Sequence, residues 1–190
     1  MVNTLEKYHR KRHFTKTSEP EGGEITPYKS PIFVLQKHRA TRLHYDFRLE
    51  IGGVLKSWAV PKGPTLDPFE KRLAVPTEDH PIEYADYEGV IPEGEYGAGT
   101  VMVWDKGTFE HIPEGGETPE KAVEIGHIAF RLNGKKLHGG FALIRTGKGG
   151  ERWLLIKMKD EFANQMWDPD KESRSALSGR TMDEITNAEE

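Results

Sequence analysis

The fold is decided by residues 32–60, which read IFVLQKHRATRLHYDFRLEIGGVLKSWAV. Apolar and polar residues alternate through LHYDFRLEI, as they do in a strand that buries one face. IFVLQKH before it and VLKSWAV after it also have strand-like patterns, and the Gly52-Gly53 pair suits a tight hairpin turn. We therefore predict three consecutive strands in this stretch.

Strand patterns continue toward the C-terminus. KRLAVPTE and RWLLIKMKD each predict one strand, and TVMVWDKGTFEHI predicts a hairpin with its turn at residues 105–107. HIAFRLNGKKLHGGFALIRT predicts two strands around Asn133-Gly134, and TPEKAVEIG predicts a short helix capped by Thr118. These elements together predict a mainly β fold, an antiparallel β-barrel-like single domain with short helices.

Composition divides the chain into three segments. Residues 1–31 are polar and basic and predict a mobile N-terminal arm, residues 32–160 predict the barrel core, and residues 161–190 predict a polar extension packed on or near the core. Within the core, residues 79–99 form a long connection rich in Gly and Pro, and loops of this length are usually functional. Its GEYGAG segment enters a strand rather than a helix, which favours a tight turn over a phosphate cradle. The tryptophans expected in the core are Trp58, Trp104 and Trp153.

Overall composition excludes several classes of site. The chain of 190 residues has no cysteine, so a disulfide framework, a Cys-ligated zinc and a thiol nucleophile are all excluded. The net charge of −4 does not favour a general nucleic-acid coat, although it permits a local basic site. No apolar run approaches a membrane span, and the charged N-terminus has no signal-peptide core. We expect a cytoplasmic protein, monomeric and without a membrane partner.

One face of the predicted strand LHYDFRLEI carries chemistry. His44, Asp46 and Arg48 alternate along it and point to the same side, away from the apolar face. His44 and Asp46 are roughly 6.6 Å apart at their Cα atoms, so they can share one ion, and His38 just upstream can supply a third ligand. Two imidazoles and one carboxylate leave coordination positions open, as a catalytic metal requires. Arg48 on the same face can hold a phosphate that the metal also binds.

Two alternatives remain open from these residues alone. The His-x-Asp pair also begins the facial triad of iron oxygenases, which needs a distant second histidine. The candidates for that histidine are His80, His111, His127 and His138. The other alternative is a non-catalytic module that binds strand ends through Lys62, Arg72 and the arm and recruits a ligase, with no need of the three metal ligands.

Long strings of the sequence resemble a known family. HRATRLHYDFRLE, LKSWAVPKGP, KRLAV, EDHPIEYADYEGVIPEGEYGAGTV and WDKGTFE are similar to the phosphoesterase domain of bacterial ligase D and to its free-standing archaeal and bacterial relatives. The similarity continues through LNGKKLHGGFALIRT, WLLIKMKD and SGRTMDEI and covers nearly the whole chain from about Tyr8. It implies a 3′-end healing enzyme of DNA repair that removes 3′-terminal ribonucleosides and 3′-phosphates to leave a 3′-OH. It further implies Mn²⁺, or another divalent transition metal such as Zn²⁺ or Co²⁺, and a separate ATP-dependent DNA ligase as a partner.

The resemblance also implies which residues form the site. It places the metal ligands at His38, His44 and Asp46 and the catalytic residues at Arg48, His80 and Tyr84. The residues that it implies for substrate or phosphate binding are Lys62, Arg72, Gln36, Ser57, Arg12 and Glu19. The sequence departs from the family pattern in the arm, where His13 stands at a position at which we expect an acidic residue.

Overall fold

A computed structural model describes residues 4–23, 28–147 and 149–188. Its strands are β1 (Ile32–Arg39), β2 (Leu43–Ile51), β3 (Val54–Val60), β4 (Lys71–Pro76), β5 (Gly89–Ile91), β6 (Gly99–Ile112), β7 (His127–Asn133), β8 (His138–Thr146) and β9 (Arg152–Lys157). The α-helices are α1 (Glu6–Arg10), α2 (Pro119–Ile125) and α3 (Met182–Asn187), and 3-10 helices span Ile82–Asp86 and Pro169–Lys171. No helix in the described part of the chain is long and apolar enough to cross a membrane.

Eight antiparallel strands close into a barrel in the order β1-β2-β3-β4-β9-β8-β7-β6, and β6 pairs back to β1. The short strand β5 adds to one end of β6. The predicted antiparallel β-barrel is therefore confirmed, as are the three strands and the Gly52-Gly53 hairpin within residues 32–60. Both glycines of that hairpin have positive φ, which suits a two-residue turn.

The barrel interior is filled by aromatic and aliphatic side chains from alternate strand positions. Tyr45, Phe47 and Leu49 of β2 all belong to this cluster, so the alternation in LHYDFRLEI correctly marks the buried face. The three tryptophans predicted for the core, Trp58, Trp104 and Trp153, are also members. The C-terminal extension contributes Met182 and Ile185 from α3, so it packs on the barrel, and its last residues, 189–190, lie outside the described ranges.

The turn predictions have mixed outcomes. Helix α2 is capped as expected, because the Thr118 side chain accepts from the Lys121 N–H and the helix ends at a left-handed Gly126. The two strands around residue 133 are also confirmed, although a four-residue turn joins them and the Gly134 N–H donates to the Leu137 carbonyl over 2.9 Å.

The hairpin predicted at residues 105–107 was wrong. β6 runs unbroken through this segment and pairs with both β1 and β7, with an extra residue inserted opposite Leu35 and Gln36. The fully buried Asp105 carboxylate accepts N–H donors from residues 106 and 135–137 and so anchors the β7–β8 turn. Gly107 lets β7 approach, since a Cβ there would lie 2.0 Å from the Asn133 carbonyl oxygen.

A second apolar cluster covers the outer face of the sheet near β1. It joins Tyr8 of the arm to residues of the 3-10 helix Ile82–Asp86, of β5 and of β6. Tyr8 is fully buried, and its hydroxyl donates to the Pro20 carbonyl over 2.5 Å. Tyr8 thus anchors the arm to the barrel, while residues 1–3 and 24–27 of the predicted mobile segment lie outside the described ranges.

Candidate active site

The three predicted metal ligands meet on the outer face of the β1–β2 pair. His38 lies directly opposite His44 in the strand register, and Asp46 follows two residues later on the same face. One ligand atom from each residue lies within 4.8 Å of the other two. Asp46 Oδ2 is 3.4 Å from His38 Nδ1 and 3.6 Å from His44 Nε2.

Backbone carbonyls fix the protonation of both histidine rings. His38 Nε2 lies 2.7 Å from the Gly97 carbonyl oxygen, and His44 Nδ1 lies 2.9 Å from that of Arg42. Because a carbonyl oxygen only accepts, these two nitrogens must carry protons and donate. The opposite nitrogens, which face Asp46, are therefore lone-pair donors in the neutral rings. Metal-binding histidines commonly have this arrangement, so the residues present fit a divalent transition metal.

The third ligand is held as a carboxylate. Burial works to raise the pKa of Asp46, but the charge of Arg48 and the neighbouring imidazole rings of His38 and His44 hold that pKa well below its usual value. Arg48 Nη2 lies 3.6 Å from Asp46 Oδ2. The cluster therefore offers two imidazole nitrogens and one anionic oxygen.

The ligands line a cavity of about 320 Å³, which we call the site cavity. Its other lining residues include Arg12, Arg48, Glu78, His80, Tyr84 and Tyr96. The sheet, the arm and residues 77–97 all contribute to its walls.

Arg48 is preorganised by two of the predicted site residues. Its Nε donates to Gln36 Oε1 and its Nη1 donates to Ser57 Oγ, both over 2.8 Å. Gln36 is held in turn, since its amide nitrogen donates to the carbonyls of Tyr84 and Tyr87 over 2.9 Å. Gln36 and Ser57 thus hold the guanidinium of Arg48, whose side chain is only 3% exposed.

His80 is buried between two guanidinium groups. Its Nδ1 lies 2.8 Å from the Glu78 carbonyl oxygen, and this contact favours the proton on Nδ1, whereas the Arg48 Nη1 donor at 3.0 Å from the same nitrogen favours a lone pair there. Arg12 Nη2 lies 3.2 Å from His80 Nε2 and can donate to its lone pair. Burial, followed by the charges of Arg48 and Arg12, lowers the pKa of His80 well below its usual value. The ring is accordingly neutral.

The arm brings two further predicted residues into the site. Arg12 Nε donates to Glu19 Oε1 over 2.9 Å, and the Tyr84 hydroxyl donates to the same oxygen over 2.9 Å. Burial raises the pKa of Tyr84 well above its usual value, so the hydroxyl keeps its proton and remains a donor. Tyr84 therefore links the 3-10 helix to the arm.

Glu78 is a site residue that the sequence analysis missed. Its carboxylate accepts from Arg12 Nη1 and from Lys11 Nζ, both over 3.0 Å. Burial works to raise the pKa of Glu78, but hydrogen bonds from its own N–H, Arg12 and Lys11 hold that pKa below its usual value. The available signal was its position two residues before His80, which suits the same side of an extended segment.

Other predicted residues lie elsewhere. Lys62 is exposed in the turn after β3, and Arg72 in β4 is paired with Glu70 over 2.8 Å. Neither residue lines the site cavity, and the role predicted for them in substrate binding stays a prediction. His13 Nδ1 lies 2.9 Å from Glu95 Oε2 at the surface. The histidines His111, His127 and His138 do not line the site cavity either.

Comparison with known proteins identifies close sequence relatives. Residues 36–145 match the family described as the DNA ligase D 3′-phosphoesterase domain. The multifunctional non-homologous end joining protein LigD of Pseudomonas aeruginosa is 50% identical over 94% of this chain and 22% of that protein. The LigD proteins of Mycobacterium tuberculosis and Mycolicibacterium smegmatis are 42% and 45% identical over 90% and 85% of the chain. The chain spans about a fifth of the length of these relatives.

Proposed function

The chain belongs to the DNA ligase D 3′-phosphoesterase domain family, and on this premise we propose that it is a metal-dependent 3′-end healing enzyme. It removes 3′-terminal ribonucleosides as a phosphodiesterase and 3′-phosphates as a phosphomonoesterase, leaving a 3′-OH. The observation that carries the proposal is the cluster of His38, His44 and Asp46 beside the preorganised Arg48. Membership of the family supports the hydrolase class, and the donor set supports the metal.

The ligands suit a borderline transition metal. Two imidazole nitrogens and one carboxylate oxygen fit Mn²⁺, Zn²⁺ or Co²⁺ better than a purely oxygen-bound ion such as Mg²⁺. When bound, such an ion supplies Lewis-acid polarisation of a phosphoryl oxygen and a lowered pKa for water.

The guanidinium groups stabilise charge on the phosphate. Arg48 is fixed by Gln36 and Ser57, and Arg12 is fixed by Glu19 and Glu78, so both present donors without reorganising. Donors held in this way favour the charge that develops during phosphoryl transfer.

The neutral state of the His80 ring limits the roles that it can take in the reaction. With the proton on Nδ1, toward the Glu78 carbonyl oxygen, Nε2 presents a lone pair toward Arg12 at the cavity. In this state His80 can accept a proton or attack phosphorus. To protonate a leaving oxygen it must first take up a proton, which an arriving phosphate dianion favours by offsetting the two guanidinium charges.

The product suggests the reaction that consumes it. A 3′-OH is the end that a polymerase extends or a ligase seals, and the relatives are named as multifunctional end joining proteins. We infer that DNA 3′ ends carrying a ribonucleotide or a phosphate are the substrates and that an ATP-dependent DNA ligase uses the product.

The test uses a 5′-labelled primer–template that ends in a single 3′-ribonucleotide. We expect stepwise shortening with Mn²⁺ to a 3′-phosphate and then to a 3′-OH, and no product with EDTA or with His44→Ala. His138→Ala is the matched control, because this histidine lies outside the site cavity and should leave turnover unchanged. Binding of the primer without product, across several divalent metals, would contradict the proposal and favour a strand-end-binding module.

A further inference from the structure

The rim of the site cavity carries an exposed aromatic side chain that the proposed reaction does not use. Tyr96 lines the cavity together with the metal ligands, yet it is 50% exposed. The other exposed aromatic residues in the described ranges, Tyr28, Phe69 and Phe162, do not line this cavity. Tyr96 is thus a large, partly exposed aromatic ring at the edge of a cavity lined by charged side chains.

The backbone holds Tyr96 at a set place relative to the metal ligands. Two consecutive turns form the loop of residues 92–98, in which the Glu95 N–H donates to the Pro92 carbonyl over 3.2 Å and the Ala98 N–H donates to that of Glu95 over 3.1 Å. Gly97 has a φ of +79°, and its carbonyl accepts from His38 Nε2 over 2.7 Å. The residue after Tyr96 therefore bonds directly to a metal ligand.

Two basic side chains, each paired with a carboxylate, lie against the Tyr96 ring. Lys11 Nζ lies 3.1 Å from the Tyr96 hydroxyl and 4.4 Å from the ring centroid, and Arg12 Cζ lies 5.7 Å from that centroid. A flat ring beside an ammonium and a guanidinium group has the composition of a single-strand binding surface, in which aromatic rings stack on bases and cations contact the backbone. Half of the residue stays exposed although Lys11 lies over the ring, which leaves area for a flat ligand.

We propose that Tyr96 stacks on the base of the 3′-terminal nucleotide and so makes the enzyme select ends that carry a base. The proposal rests on the proposed function and adds a specificity-determining residue to the same site. Stacking on an aromatic ring is tolerant of base identity, so all four bases are accepted and an abasic end is disfavoured. A purely structural role would instead work through the hydroxyl, which accepts from Lys11.

The test measures equilibrium binding, by fluorescence anisotropy in EDTA so that no turnover occurs. Labelled primer–templates with a normal or an abasic 3′-terminal residue are titrated with wild type, Tyr96→Ala, Tyr96→Phe and the control Phe69→Ala. We expect Tyr96→Ala to weaken binding of the normal end by roughly tenfold to a hundredfold, as expected for loss of one stacked base. The abasic end should bind wild type and Tyr96→Ala alike, and Tyr96→Phe and Phe69→Ala should match wild type.

Two results would overturn the proposal. If Tyr96→Phe binds as weakly as Tyr96→Ala, the contact with Lys11 matters and the ring does not. If Tyr96→Ala loses equal affinity for normal and abasic ends, or loses none, the base is not the ligand. Because binding is read without turnover, a failure of cleavage would count against the phosphoesterase activity alone and would leave the stacking result standing.

Discussion

At the scale of single residues, His44 and His80 occupy one cavity but have different partners. His44 faces Asp46, whereas His80 contacts Arg48, Arg12 and the Glu78 carbonyl. We expect His44→Ala to lose both Mn²⁺ affinity and activity. His80→Ala should retain Mn²⁺ affinity while kcat falls by about 10²–10⁴-fold, the usual contribution of a proton-transfer residue. Calorimetric titration with Mn²⁺ beside primer turnover checks both, and loss of metal in His80→Ala would instead make His80 a ligand.

Glu78 gives a prediction about pH. Its folded-state pKa is held below the usual value of 4.5, so its contribution to stability is fully present above about pH 4.5. That contribution is lost as the pH falls through the lower, folded-state pKa. Glu78→Gln should therefore lower the free energy of unfolding by about 1–3 kcal/mol at neutral pH, because Arg12 loses a buried charged partner. Urea unfolding of both proteins at several pH values measures this, and a difference that grows toward acid pH would contradict it.

The contrast between these residues shows how far the sequence predicts the site. His44, Asp46 and Arg48 could be predicted because strict alternation places them on one strand face, and His38 follows from the hairpin register. The pairing of Glu78 with Arg12 could not be predicted, because the two residues are 66 positions apart, and the spacing of Glu78 from His80 indicates only a shared side of the segment. Arg12 itself was indicated only by family resemblance.

At the scale of elements, β6 shows why a local turn signal can mislead. Residues 105–107 read Asp-Lys-Gly, a sequence typical of a turn. In the structure, however, the Asp105 carboxylate accepts hydrogen bonds from backbone N–H groups of the β7–β8 turn. In Asp105→Asn, an amide NH₂ group replaces one of the accepting carboxylate oxygens and would face a backbone N–H, which is also a donor. We expect a loss of about 1–3 kcal/mol in the free energy of unfolding. The surface control Asp170→Asn should change stability little, and equal melting curves for the two variants would refute the anchoring role.

The arm is a second element with a separable role. Tyr8 is buried in the outer cluster rather than in the barrel, and its ring lies 3.9 Å from Arg12 Cζ. Tyr8→Ala should release the arm and misplace Arg12, which we expect to lower kcat by about 10²-fold. Hydrogen exchange should then rise in residues 4–23 while β7 and β8 stay protected. Faster exchange throughout the barrel would mean that arm and barrel unfold together.

At the scale of the whole molecule, the candidate site lies on the outer face of the closed barrel. Local patterns predict most of its strands, yet the pairings that close it, β4 with β9 and β1 with β6, join segments far apart in sequence. Alternation marks which face of a strand is buried and does not say which strand lies beside it. Closure was therefore predicted as a class of fold and not as a set of partners.

Charge distribution gives the last prediction, because a net charge of −4 is unfavourable for gripping long stretches of nucleic acid. The cations that line or border the site cavity are few, chiefly Arg12, Arg48 and Lys11, so an end-binding enzyme should contact about two to four phosphates. We expect a plot of the logarithm of the primer association constant against the logarithm of the salt concentration to have a slope of about −2 to −4.

Two lysine variants test this expectation. Lys11→Gln should make the slope less steep by about 1, while Lys121→Gln on α2 should not change it. Anisotropy titrations across about 50 to 400 mM salt measure these slopes. A slope of about −6 or steeper would mean that the protein follows the duplex over many phosphates, which a site confined to one cavity on an acidic molecule does not permit.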